Sequence, residues 1–389
     1  MLGMSQITIE QFSDPLIQRE ARGFANAADS SLYFYNSRDE IYRIQDGLVT
    51  EIEFDCPSSC DIGQIAFDND GNLLVGSKFG GLFRIIDEFT SEIILDENIE
   101  AFAMDAEGNI YAGTDSDFSS PVISIFRNNA WEFFGENTPG INSAVVNDVK
   151  IDSEGTVWFA TSDGLVEFDG DNFINRSTPA LSDSFRNLEI DEEDNVWVVS
   201  SFGGIGKFDG EWTIFEQFFN SFDQLSFLAL GSDGSIWTTQ NGAGVHRIFE
   251  DEITLVPFAD LGLGSGFIVR GMTIDKMDRV WVSLDFSSDL AILSVDMVSS
   301  NNELKEIEDF KLFPNPNLGS FTTSFNFLQP TEANLKIFDE NGNKVHSQIL
   351  DKQIEHNYNF ILDELPTGKY YLRIESDGKW KSYPVLIAK

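Results

Sequence analysis

One pattern recurs seven times at intervals of about forty residues, and that period restricts the 389-residue chain to a solenoid or a propeller. Asp68-Asn69-Asp70-Gly71, Asp105-Ala106-Glu107-Gly108 and Asp152-Ser153-Glu154-Gly155 are the clearest copies. Asp191, Gly231 and Asp275 anchor three more, and Ala27 anchors a weaker first one. The anchors are separated by 41, 37, 47, 39, 40 and 44 residues. Three residues beyond each stands a turn-former: Ser30, Gly71, Gly108, Gly155, Asp194, Gly234 and Asp278. Six residues beyond stands a large apolar or aromatic group: Tyr33, Leu74, Tyr111, Trp158, Trp197, Trp237 and Trp281. Apolar run, Asp/Gly turn, apolar run is a β-hairpin signature, because Gly and Asp accept turn dihedrals that β-branched residues resist.

A third strand follows in each unit, as in Gly81-Leu82-Phe83-Arg84-Ile85 and Gly164-Leu165-Val166-Glu167-Phe168. Its alternation predicts one face wetter than the other. Turns such as Asp169-Gly170 and Asp209-Gly210 lead to a fourth strand, for example Trp212-Thr213-Ile214-Phe215. Four antiparallel strands per forty residues make one blade, so the expected fold is all-β, a seven-bladed β-propeller. The seventh unit lacks a clear fourth strand after Leu290-Ala291-Ile292-Leu293. Ile7-Thr8-Ile9-Glu10-Gln11-Phe12 looks like the fourth strand of the fifth unit, which predicts that the N-terminal strand closes the last blade and removes its open edge.

Beyond the polar stretch 299–309 the repeat stops. Short alternating runs broken by Pro, Asn and Gly, from Phe310-Lys311-Leu312-Phe313 to Pro384-Val385-Leu386-Ile387, predict a small C-terminal β-sandwich. The expected organisation is a propeller at 1–297, a linker at 298–309 and a second domain at 310–389.

Across about residues 20–296 the Asp-Gly turn, the Trp of the second strand, and Gly-Leu with a following aromatic resemble the two-component regulator propeller repeat. That resemblance implies a fold rather than an activity, since the same repeat occurs in sensors, binding modules and enzymes. Residues from about 308 to 389 resemble the type A sorting domain of proteins exported by the type IX secretion system. The resemblance rests on Pro314-Asn315-Pro316, the Asp-x-x-Gly turn from Asp339 to Gly342, the segment Leu365-Pro366-Thr367-Gly368-Lys369-Tyr370, and the short basic end. It implies an address read by the type IX secretion machinery and usually cleaved, with no catalytic role, and hence a secreted or outer cell-surface protein.

The formal charge is −40, and residues 1–300 hold 52 of the 65 acidic residues but only 15 of the 25 basic ones. Such a field repels phosphate backbones and anionic lipid, which excludes nucleic acid as a partner. No apolar run approaches the roughly 20 residues of a membrane span. Met1-Leu2-Gly3-Met4-Ser5-Gln6 has neither the basic region nor the apolar stretch of an export signal. The only cysteines, Cys56 and Cys60, flank a three-residue loop that a disulfide can close in an oxidising compartment.

In a propeller the turns joining second to third strands gather on one face with the inter-blade loops, where ligands usually bind. Those turns nominate Arg38, Lys78, Phe79, Phe118, Phe202, Asn241 and Phe286. His246, inside a third strand, is the propeller's only histidine and reads as structural. No catalytic set, phosphate loop or metal cluster is recognisable, so no cofactor is expected. Calcium at the Asp-rich turns is the minor alternative, since they lack the spacing and terminal Glu of a helix-loop-helix site. The chain reads as a monomeric recognition module for an unknown glycan or protein ligand. The alternative is a secreted lyase or hydrolase acting on a polysaccharide or lactone.

Overall fold

The computed structural model describes residues 7–54, 60–87, 90–114, 121–143, 145–178, 181, 184–201, 204–215, 225–249, 252–263, 268–295, 307–315, 317–339, 344–362, 364–376 and 379–389. The chain divides into a larger compact unit, Ile9–Leu293, and a second that holds Ser294–Lys389. Apart from one 3-10 turn at Phe258–Asp260, all regular structure among the described residues is strand.

Among the described residues the repeats build seven four-stranded sheets. The fourth unit is typical: Val146–Ile151, Val157–Thr161, Gly164–Phe168 and Phe173–Asn175 pair antiparallel in sequence order. At the first turn the anchor carboxylate replaces missing backbone partners. Asp152 Oδ1 accepts from the N–H of Glu154 and of Thr156 at 3.1 and 2.8 Å, and Gly155 takes φ +87°. Six residues on, Trp158 returns its indole N–H to Asp152 Oδ2 at 2.9 Å. The anchor thus fixes both the turn and the ring that follows it.

The last sheet has the order Ile7–Phe12, Leu290–Val295, Val280–Leu284, Val269–Ile274, so the N-terminal strand lies beside the third strand of the seventh unit. Phe12 meets Trp281 edge-on at 5.5 Å, and Gln11 Nε2 donates to Gly262 O at 2.7 Å.

The core lies between sheets rather than within one. Six apolar clusters each span two neighbouring sheets, one of them joining Trp281, Leu290 and Ile292 of the last to Phe34 and Tyr42 of the first. The first strands are neighbours in a closed cycle, from Ala21–Asn26 round to Val269–Ile274 and back. Such stacking corrects the expectation of a wetter face on the third strands. Gly164–Phe168 and Gly244–Phe249 are buried on both faces, because a sheet packs on either side, and exposure concentrates in the fourth strands.

Cys60 is disulfide-bonded, and the chain's only other cysteine, Cys56, lies outside the described residues.

In the second unit one five-stranded sheet is described. Ser320–Asp339 pairs with Lys344–Ile361 along most of its length, with Ile307–Phe313 over its first part and with Gly368–Ser376 over its last. Lys379–Ile387 completes the sheet beside Gly368–Ser376. Phe321, Phe325 and Phe360 from one part share a core with Leu335, Ile337, Leu372 and Val385 from the other.

Candidate functional site

In four units the turn between second and third strands hydrogen-bonds to the residues leading into that unit's first strand. Lys78 N donates to Asp61 O at 3.0 Å, Ser162 N to Val145 O at 3.1 Å, Ser201 N to Ser184 O at 2.9 Å, and Asp285 N to Ile268 O at 2.9 Å. These segments therefore share one end of the first strands, the face that the loop reading nominates.

The nominated residues fare differently on that face. Arg38 is exposed, while its neighbour Asp39 accepts from the N–H of Asp61 and Ile62 at 3.0 and 2.8 Å and so holds the second unit. Lys78 pairs with Glu100 at 2.7 Å. Asn241 has a buried Oδ1 without a hydrogen-bond partner among the described residues. Phe79 is 63% exposed and Phe286 90% exposed, and Phe286 takes φ +62°. An aromatic residue in the left-handed region and in water is costly on both counts. Phe118 and Phe202 lie outside the described residues.

The sequence reading missed a ring of residues five positions before each anchor: Arg22, Gly63, Glu100, Asn147, Arg186, Ser226 and Arg270. In six of these units the first strand is bulged at or beside this position, against the second strand. Arg186 Nε donates to Ser201 Oγ at 2.7 Å, and Asn147 Nδ2 to Phe185 O at 2.7 Å. Arg22 and Arg270 each have a buried Nε and make no hydrogen bond or ion pair with a described residue. Their common offset from the anchors was the available signal.

A cavity of about 500 Å³ sits at the other end of the first strands, lined by residues such as Phe24, Phe67, Lys150, Glu189, Leu230 and Ile274. Lys150 Nζ lies 3.0 Å from Glu189 Oε1 across two sheets. Burial lowers the Lys150 pKa, but the charges of Glu189 and Asp148 outweigh it and hold it above its ordinary range. A lysine so held is a cation and not a nucleophile.

The Asp-rich turns offer their carboxylates to N–H donors. Besides Asp152, Asp191 accepts from Trp197 Nε1 at 2.8 Å, and Asp275 from Trp281 Nε1 at 2.8 Å and Arg279 Nε at 2.7 Å. Burial pushes the Asp191 carboxyl up, yet the bonds from Trp197, Asn195 and Glu193 prevail and hold it below its ordinary 3.8. His246 is buried, with Nε2 2.8 Å from Gln240 Oε1.

In the tail, the peptide preceding Pro314 is cis. Asn315 clamps the last strand, donating Nδ2 to Pro384 O at 3.0 Å and accepting from Leu386 N at 2.7 Å. Pro366 O accepts from the hydroxyl of buried Tyr370 at 3.0 Å, Leu365 O accepts from Lys389 Nζ at 2.6 Å, and Gly368 opens the fourth strand of the unit. Asp339 ends the second strand, while Pro316 and Gly342 lie outside the described residues.

Among solved structures the chain is similar to streptogramin B lyase, with 16% identity and a TM-score of 0.63, covering 75% of this chain and 98% of that one. It is also similar to the extracellular domain of a putative hybrid two-component system from B. thetaiotaomicron, at 14% identity and a TM-score of 0.60 over 98% of this chain and 57% of that one. PorZ, a surface component of the type IX secretion system of Porphyromonas gingivalis, matches at 13% identity and a TM-score of 0.53 over 94% and 59%. These likenesses establish a propeller fold. No curated protein matches the chain. No helix among the described residues is long and apolar enough to cross a membrane. Residues 311–388 match the model of the secretion system C-terminal sorting domain, so the chain is a β-propeller protein that carries a type IX sorting tail, an address to the cell surface or the extracellular space.

Proposed function

We propose that residues 1–297 form a seven-bladed propeller closed by the N-terminal strand, joined through 298–309 to a sorting domain of β-sandwich type at 310–389. The propeller acts outside the cell, as a monomer, to recognise a glycan or protein ligand. The observation that carries this reading is Phe286, 90% exposed at φ +62° on the face where the second-to-third turns meet. Phe79 exposes a second ring from the equivalent turn of the second unit.

A glycan and peptide array probed with the full chain tests the reading. At least one ligand class should bind, and Phe286→Ala should abolish or strongly reduce the signal. A blank array, or binding indifferent to that change, would overturn it. A lyase remains the second reading, favoured by the likeness to streptogramin B lyase. Its test is product formation on incubation with the array-positive ligand.

A further inference from the structure

From the missing counter-ions of Arg22 and Arg270, we infer that these two side chains, with Phe286 beside them, form a site for the carboxylate of an acidic saccharide. The inference deepens the recognition reading and rests on it.

Nine of the fifteen Lys and Arg residues in the first 300 are paired with carboxylates: Arg43, Lys78, Arg84, Arg127, Lys150, Arg176, Lys207, Arg247 and Arg279. Four others, Arg19, Arg38, Arg186 and Lys276, are exposed to water. Arg22 and Arg270 alone are half-buried, each with a buried Nε and no partner among the described residues. In a chain of net charge −40 carboxylates are abundant, so two unmatched guanidinium groups are not explained by a shortage of partners. A buried N–H without an acceptor is costly, and the cost is removed when an anion occupies the place.

The two arginines occupy the same offset in the seventh and first units, whose first strands are neighbours. The two strands pack closely at this point because Gly271, next to Arg270, lacks a side chain. A Cβ there would collide with the Arg22 carbonyl. Phe286 belongs to the same corner, since Asp285 and Ile268 exchange hydrogen bonds at 2.9 Å and Ile268 lies two residues before Arg270. Ile268 is itself 37% exposed.

Guanidinium groups bind carboxylates through paired N–H donors. The surrounding negative field selects against a densely charged polyanion and for a ligand with one carboxylate per sugar. The ring of Phe286, 90% exposed, offers a flat apolar face of the kind that the C–H face of a pyranose can cover.

The test is calorimetric titration of the full chain with trigalacturonate, with neutral galactotriose and a glutamate-containing tripeptide as comparators. Trigalacturonate should bind and the comparators should not. Arg22→Gln and Arg270→Gln should each weaken binding about tenfold or more, and Phe286→Ala severalfold. Without ligand the arginine variants should melt no lower than wild type, and trigalacturonate should raise the melting temperature of wild type but not of the double variant. A merely structural arginine would show the reverse. Equal affinity in the double variant, or preference for the tripeptide, overturns the site. If galactotriose binds, loses affinity in Phe286→Ala and ignores the arginines, the acidic-saccharide site falls while the recognition reading stands. If none of the three probes binds, the site falls, and the array alone decides the broader reading.

Discussion

Asp278 accepts from the backbone N–H of Ser232 at 3.0 Å and takes the hydroxyl of the same serine on its other oxygen, joining two turns 46 residues apart in sequence. Ser153 and Asp194 repeat the arrangement between the fourth and fifth units. In both cases an Asp at φ near +60° stands where four other units have Gly and the first has Ser30, and the preceding unit has Ser after its anchor. The side chain thus gives back, as a clamp between sheets, what its backbone conformation costs. Asp278→Ala keeps the strain and loses the clamp, and should destabilise by about 1–2 kcal/mol. Asp278→Gly loses the clamp but relieves the strain, and should fall about halfway between. Urea denaturation followed by tryptophan fluorescence orders the three. A glycine variant less stable than the alanine variant would refute the trade.

Acid should expose the contribution of the anchor carboxylates. Asp191 is held below 3.8 in the folded chain, so its stabilisation is present above that value and is lost as pH falls through the lower, folded value. The melting temperature of Asp191→Asn should therefore lie furthest below wild type at neutral pH, and the gap should narrow below about pH 4. Comparison with the variant cancels the relief of overall negative charge that acid also brings. A gap that stays constant from pH 7 to pH 3 would show that the carboxylate charge is not what Trp197 and Asn195 bind.

The hairpins were legible because their determinants are local: anchor, turn-former and ring lie within seven residues, and each contact joins neighbours in the chain. What the third strand faces was not legible, because burial of both its sides comes from sheets formed by residues about forty positions away. Nor were Arg22 and Arg270 singled out. Their meaning lies in a partner that is missing, and no pattern in the sequence reports an ion pair not formed. The likeness of Ile7–Phe12 to a fourth strand was readable, and its place beside Leu290–Val295 follows from it.

That N-terminal strand should matter to stability out of proportion to its length. It covers the outer edge of Leu290–Val295 and brings Phe12 onto Trp281. Removing residues 1–12 would leave a row of unpaired backbone groups on a buried apolar strand and uncover Trp281, which is 3% exposed. A loss of a few kcal/mol corresponds to a fall of roughly 5–10 °C for a domain of this size. Differential scanning fluorimetry checks it, and an unchanged melting curve would mean that the strand is dispensable to the last sheet.

The tail makes the strongest demand on function. Asn315 binds the last strand from both sides of its amide, and Asn317 Nδ2 adds a bond to Leu386 O at 3.0 Å, so the start and the end of the sorting domain are fastened together. Asn315→Ala removes two of these bonds and should loosen the C-terminal strand by about 1–2 kcal/mol without touching the propeller, which has its own clusters of core residues. If the secretion machinery reads the folded tail, this variant should be exported less efficiently in a host that carries the type IX system. Deletion from residue 308 should leave a folded propeller in the periplasm, and fusion of residues 300–389 to a periplasmic reporter should carry that reporter outward. Fractionation and immunoblotting measure all three. A truncated protein that still reaches the medium would show that the tail is not the address. Efficient export of Asn315→Ala would show instead that the machinery reads a short linear segment, since the clamp that shapes the domain would be gone while its sequence was otherwise intact.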